Sequence, residues 1–484
     1  MQIQQNSPTP FTRNLGRNRA ILIMIGNMIG VGIFIYPSLI ASSLTHPIWF
    51  LTVWILGGFI AITGALSSAE LAVLFPEVGG DYVFLKNAYG QRWSFLFGFL
   101  TQFITFPSSI AIGLSLTVYY QGLTIFGDWV RNTAFTIPGV QFNISYFQLI
   151  ALGILIVLTY LNQFGLSVSI FLQKVTTLTP LFTLIAISSF ILFLIFKALT
   201  VGSSNVSMLQ KNLNAPLRTP DILKLGSALV PVYWTFTGWN SPLTLGSEIR
   251  DPEKVIPKIM ISGVFIVTII YLLFAFVFIS VLPFSTIQDG NNDPYFLIGK
   301  YFLSLVTDIS HSLEIIPEIL SIIILLLVIG NVNSSMITGT RIAVAMSRDG
   351  LFWEKIGIIH PKRNTPVYSF ILQSFFASIM ILFIPKDSDL LNFSFLSITF
   401  LSVLTVLSIF IFRLKGKEKQ SLYKAFGYPI TPIVYAFFSL GIIALVVIQY
   451  IHQSNYSVIF GSIICTFIGI IVFDIWKKFK KMNL

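Results

Sequence analysis

The chain has 484 residues, 55% hydrophobic and 10% charged, with a mean hydropathy of +0.83 and a formal net charge of +11. A soluble domain carries about 25% charged residues and cannot hide this much apolar surface, so the composition excludes a soluble enzyme, a nucleic-acid-binding protein and a disordered chain. A single cysteine, Cys465, excludes an intramolecular disulfide framework and a cysteine metal cluster.

A membrane-crossing helix needs about 20 predominantly apolar residues. In chain order the candidate spans, numbered 1 to 12, are 19–43, 49–75, 93–122, 146–163, 169–196, 226–247, 259–282, 313–340, 367–384, 391–413, 431–451 and 456–476. These runs are continuously apolar rather than alternating, which excludes a β-barrel and predicts an all-α multi-pass membrane protein. A polar tail, 1–18, precedes them and a basic tail, 477–484, follows. The stretch after the polar tail is too long for a cleavable signal, so span 1 is expected to stay.

With an even number of spans both termini share a side. Placing them inside gives the inner segments 23 of the 30 Lys and Arg and leaves 7 outside: Arg131, Lys197, Lys211, Arg218, Lys224, Lys300 and Lys386. The positive-inside rule therefore predicts cytoplasmic termini in a cell membrane. The positive charge is mainly a cytoplasmic-face charge, part of it near anionic lipid.

Two spans are interrupted. Span 1 contains Gly26-Asn27-Met28-Ile29-Gly30-Val31-Gly32-Ile33-Phe34 and then Pro37; span 6 contains Pro231 through Pro242, with Gly238 between them. Glycine loosens a helix and proline removes one of its donors. Unwound backbone at mid-membrane must be buried in protein or line a wet cavity. It offers N–H groups and a positive dipole end to a carboxylate, and carbonyls to an ammonium, which together make a receptor for a zwitterion. Broken helices at the start of two five-span sets are the pattern of a transporter substrate site.

At these residues the sequence resembles the amino acid–polyamine–organocation superfamily. The resemblance extends over about 20–430, through Gly64 to Gly90 with Gly79-Gly80-Asp81-Tyr82, Gly238-Trp239-Asn240, Glu248-Ile249-Arg250-Asp251-Pro252, Gly330-Asn331-Val332-Asn333, Arg348-Asp349-Gly350 and Thr365-Pro366. It implies a five-plus-five inverted repeat of leucine-transporter type, with repeat 1 over 19–196, repeat 2 over 226–413, and two further helices over 431–476. Helices 1, 2, 6 and 7 would move against 3, 4, 8 and 9. It also implies secondary transport of an amino acid by alternating access, as exchange or with a proton. No cofactor is expected, and the four histidines, His46, His311, His360 and His452, fall in predicted loops too dispersed to bind a metal.

By resemblance, the substrate carboxylate meets N–H groups around Ile29, Gly30, Val31 and Gly32. The ammonium meets carbonyls near Ile25 and Gly26 and around Trp234, Thr235 and Thr237. Trp234 falls where relatives carry an aromatic gate, Asn240 faces the substrate side chain, and Thr237 replaces an acid found in some relatives. Many relatives carry a helix-5 Lys seven residues after a Gln; here Gln173 is followed by Pro180 at that distance.

Polar residues in span 3 (Thr101, Thr105, Ser108, Ser109) and span 8 (Asn331, Ser334, Ser335, Thr338) read as hydrogen bonds between helices or as substrate contacts. Glu70, an acid in an apolar run near the inner end of span 2, reads as a structural or gating ion pair with a loop Arg or Lys. Glu248, Arg341, Arg348 and Asp349 read as an inner-gate network. Two alternatives stand beside amino-acid transport. One is a polyamine or organic-cation carrier, which wants a carboxylate that neither break supplies; the other is a membrane sensor that binds an amino acid without moving it.

Overall fold

A computed structural model describes residues 11–137, 142–201, 207–289, 297–298, 315–383 and 388–482. Lys300, His311 and Lys386, the outer ends of both tails and the edges of spans 8 and 9 lie outside the described residues.

The chain is a bundle of apolar helices. Among the described residues nine are long and apolar enough to cross a membrane: Arg17–Ser42, Pro47–Leu74, Gln91–Phe126, Leu166–Lys197, Pro252–Val281, Ile316–Arg348, Asn392–Leu414, Ile430–His452 and Ser457–Lys480. Two shorter apolar helices, Tyr146–Asn162 and Val367–Phe383, occupy spans 4 and 9. The most apolar stretch of span 1 is 78% buried, whereas that of span 12 is 22% buried. The inner helix is thus walled by the others, and span 12 turns most of its surface outward.

The helices are not uniform. Span 1 divides into Arg17–Met28 and Gly32–Ser42. Span 6 is Ile222–Thr235, an irregular turn, then the short Ser241–Thr244. Thr101–Thr105 and Lys174–Leu178 widen into π turns, each ending two residues before a proline, Pro107 and Pro180. Proline has no N–H to give the regular ladder, and a wide turn shifts the register around it. Between spans 3 and 4 a short hairpin, β1 (Thr133–Ile137) and β2 (Phe142–Ser145), pairs antiparallel beside the helices.

Packing follows a regular offset. Span 2 lies along span 7, span 3 along span 8, and span 4 along span 9. The halves of the broken helices cross: Gly32–Ser42 meets Ile222–Thr235, and Arg17–Met28 meets Ser241–Thr244. Each of these contacts joins segments five spans apart, and the crossing sets both breaks side by side.

Candidate functional site

A helix that stops inside a protein leaves its last carbonyls without helical partners. In span 1 these are met by side chains of other helices. The Ile29 N–H closes onto the Ile25 carbonyl at 2.8 Å. Asn331 Nδ2 donates to the Gly26 carbonyl at 3.0 Å and to the Asn27 carbonyl at 2.8 Å. Tyr271 Oη donates to the Met28 carbonyl at 2.6 Å. Gly30 has no side chain because Asn331 occupies that space, and Gly32 gives the same space to Thr235.

The break in span 6 is closed in a similar way. The Thr237 N–H and its hydroxyl both donate to the Trp234 carbonyl, at 3.0 and 2.6 Å, and the Thr235 hydroxyl donates to the Pro231 carbonyl at 2.7 Å. Gly238 has φ +98°, and a Cβ there would stand 2.8 Å from the Asn27 carbonyl oxygen. Only glycine tolerates both the dihedral and the approach. The two breaks thus touch backbone to backbone.

Beside them lies a cavity of about 960 Å³, counting the space open at its mouth. Its wall includes Trp234, Thr237 and Asn240 from span 6 together with Asn27 from the span 1 break. Span 3 contributes Thr101, Thr105 and Ser109, and span 8 contributes Ser335 and Thr338. Ser335 donates to Asn27 Oδ1 at 2.9 Å, which aims that amide. Ile25, Gly26, Ile29, Gly30, Val31, Gly32 and Thr235 are not among the wall residues. Gly26 is packed against Gln173, Gly30 against Asn331 and Gly32 against Thr235, and the Thr235 carbonyl accepts from Tyr271. Ser108 is turned to Met380 Sδ, 3.4 Å away, and Asn331 to the span 1 carbonyls.

Asn240 points to a residue to which the sequence reading gave no role. Its Nδ2 donates to Asp81 Oδ2 at 2.6 Å. Asp81 is 4% exposed and lies on the cavity wall. Burial pushes its carboxyl up to about 6, while the Asn240 bond pulls the other way. The signal was present in Gly79-Gly80-Asp81: Gly80, at φ +52°, lets the chain pass close under Leu243 and Thr244. Tyr233, Tyr435 and Ser402 are further wall residues that sequence reading missed. The two phenols lie 2.8 Å apart, and Ser402 lies 2.8 Å from Tyr435 Oη.

Behind span 1, Gln173 accepts from Asn333 Nδ2 at 2.7 Å and donates to Thr177 Oγ1 at 2.7 Å, and Asn162 donates to Asn333 Oδ1 at 2.9 Å. Lys174 is exposed and faces away from this neutral cluster.

The charged residues singled out in the sequence have partners on several elements. Glu248 and Arg341 form a bidentate bridge at 2.9 and 3.2 Å, with both side chains buried. Asp349 accepts from Lys86 at 2.5 Å and from Tyr82 at 2.8 Å. Phe11 lies 5.3 Å from both Arg341 and Arg348 and joins the two. Glu70 takes Arg413 at 3.0 and 2.6 Å and the Ala425 N–H at 2.6 Å. Its partner sits in the last turn of Ser388–Leu414 rather than in a loop.

The assembled wall is mostly hydroxyls, amides and aromatic rings, with one carboxylate. It suits a small polar molecule held by hydrogen bonds and covered by a ring. Comparison with known proteins gives the chemistry a family. A family model described as amino acid permease matches residues 15–473. The serine/threonine exchanger SteT of Bacillus subtilis (strain 168) is 27% identical over 436 residues, 89% of this chain and 90% of that one. The human large neutral amino acids transporter small subunit 2 is 28% identical over 356 residues, 73% of this chain and 61% of that one. The mouse Asc-type amino acid transporter 1 is 26% identical over 402 residues, 83% and 70% of the two chains.

Proposed function

The chain belongs to the amino acid permease family, a transporter rather than an enzyme, and on that premise we propose that it carries amino acids across the cell membrane by alternating access. The observation that supports this most directly is the cavity beside the two helix breaks, with Trp234, Thr237 and Asn240 on its wall. The exchanger among its relatives and the hydroxyl-rich wall favour a neutral amino acid, moved by exchange or with a proton.

The proposed architecture is twelve membrane helices in a five-plus-five inverted repeat. Among the described residues, nine long apolar helices, two shorter ones and the broken span 6 support that count. The five-span offset of the contacts supports the repeat. The charge distribution supports cytoplasmic termini.

In this reading the substrate carboxylate is drawn from the cavity wall at Asn27, the span 1 break residue that lines it, toward the N-terminal end of Gly32–Ser42 near Ile29, Gly30, Val31 and Gly32. The ammonium lies against the second lone pairs of carbonyls that already serve a side chain, those of Gly26, Trp234 and Thr235. Trp234 covers the bound molecule as a gate. Glu248 with Arg341 holds the inner side shut, and Glu70 with Arg413 fixes span 2 to span 10.

The test is uptake of labelled serine, alanine and leucine into liposomes holding the purified protein, with and without internal amino acid and with a pH gradient. Saturable uptake of any of them is expected. No uptake of any amino acid in any mode overturns the proposal. Asp81 on the wall favours a second reading, a carrier of organic cations, because it supplies the carboxylate that the helix breaks lack. Putrescine outcompeting every amino acid would select that reading.

A further inference from the structure

Among the described residues on the cavity wall, Asp81 is the only carboxylate. The groups that face it leave it without a cation. Its own helix carries Lys86, which is paired with Asp349, and Tyr82, which donates to Asp349. Arg341, from span 8, is held by Glu248. Span 6 offers the Asn240 amide and the Tyr233 phenol, and span 11 offers the Tyr435 phenol. Ordinary phenols titrate near 10. None of the ion pairs among the described residues includes Asp81.

We propose that Asp81 is the proton-binding residue of the transport cycle, taking a proton from cavity water when the cavity closes and returning it when the cavity opens, with Asn240 passing that change to the break in span 6. This rests on the transport reading of the same cavity. A carboxylate loses stability as water around it is replaced by protein, so closure favours the neutral form and opening favours the ion. The carboxyl already sits at about 6 with the site as it stands, within reach of ordinary pH. The linkage runs both ways: what closes the cavity takes up a proton, and what protonates Asp81 favours closure. The ionised group only accepts from Asn240, whereas the protonated one can donate to the amide oxygen, so the bond at the start of Ser241–Thr244 reverses with the proton. No other bond is made or broken, and one proton enters and leaves.

The experiment measures exchange of labelled serine, alanine and leucine in proteoliposomes from pH 5 to 8, for the wild type, Asp81→Asn and Asn240→Ala. The wild-type rate is expected to titrate with a midpoint near 6, and Asp81→Asn to give a flat profile. Asn240→Ala removes a hydrogen bond that favours the ion and should move the midpoint up by about one pH unit. An unaltered profile in Asp81→Asn, or a flat wild type, overturns the proposal. A second readout does not need transport. Because burial raises the carboxyl from 3.8 to about 6, the folded protein binds more protons between those values, and stability falls as pH rises through that window. The melting-temperature advantage of Asp81→Asn over the wild type should therefore grow from pH 4 to 7; parallel curves overturn the assignment. Absence of exchange in every protein, with the melting curves still diverging, would reject transport while keeping Asp81 as a proton site.

Discussion

The phenol of Tyr271 donates a 2.6 Å hydrogen bond to the carbonyl of Met28, the last helical residue before the break in span 1. The same oxygen lies 3.1 Å from the Thr235 carbonyl, at the end of the first half of span 6. One side chain on span 7 thus ties both breaks. Tyr271→Phe keeps the ring and strands a buried carbonyl, at a cost of about 1–3 kcal/mol. A lower melting temperature and weaker substrate stabilisation are expected. Wild-type values for both would show that the hydroxyl contributes nothing to holding the breaks.

Gly238 gives a sharper steric test. At φ +98° with a virtual Cβ 2.8 Å from the Asn27 carbonyl, an alanine is strained by its own backbone and collides with another backbone. Neither can rotate away, so the two breaks must separate. Gly238→Ala should destabilise by about 1–3 kcal/mol and depress exchange at least tenfold. Gly441, whose virtual Cβ has nothing within 4 Å, serves as the control and should accept alanine silently. Equal behaviour of the two variants would refute the close-approach account.

Glu248 and Arg341 are 0% and 1% exposed. Removing one partner from such a bridge leaves a buried lone charge and costs roughly 3–5 kcal/mol, whereas replacing both with apolar residues is often neutral. Glu248→Gln should therefore lower the melting temperature, and Glu248→Leu combined with Arg341→Met should recover most of it. Stability and gating then separate. If the bridge opens and re-forms in each cycle, the double variant exchanges at least tenfold more slowly despite its restored stability. Exchange at the wild-type rate would make the bridge a staple and not a gate.

The breaks were legible in the sequence because glycine and proline act on their own backbone, whatever surrounds them. Gly30 and Gly238 say that a helix fails there; they do not say which side chain fills the gap. That Asn331 caps Gly26 depends on two spans meeting across 305 positions of chain, as does the meeting of Glu70 with Arg413 across 343. Local pattern holds no record of such contacts. Asp81 was hidden for a related reason. It sits in the loop helix Asp81–Tyr89, where an acid reads as solvated until the fold tucks it beneath span 6. The hairpin at Thr133–Ile137 and Phe142–Ser145 had a weak signal in its β-prone residues, outweighed by the helical composition around it. Of the span 1 break it is Asn27 that lines the cavity, beside Gly30, Val31 and Gly32, and local pattern does not say which residue of a break faces a cavity.

Trp234 carries the last prediction, because the residue is 8% exposed and lines the cavity. A ring that only packs and a ring that covers a ligand both destabilise the protein when truncated, by about 3–5 kcal/mol for a buried tryptophan. Melting temperature without ligand cannot tell them apart. Stabilisation by ligand can. A ligand at 100 times its Kd adds about 2.7 kcal/mol, and each tenfold loss of affinity removes about 1.4 kcal/mol of that. In a thermal-shift screen over amino acids and polyamines, Trp234→Ala should lose most of the shift given by the best ligand, and Trp234→Phe should keep most of it, since a smaller ring still covers the site. Phe274, a buried aromatic on span 7 that does not line the cavity, supplies the comparison. Phe274→Leu should lower the starting melting temperature and leave the ligand-induced shift whole. A full shift in Trp234→Ala would return the ring to packing and move the gate to another part of the wall.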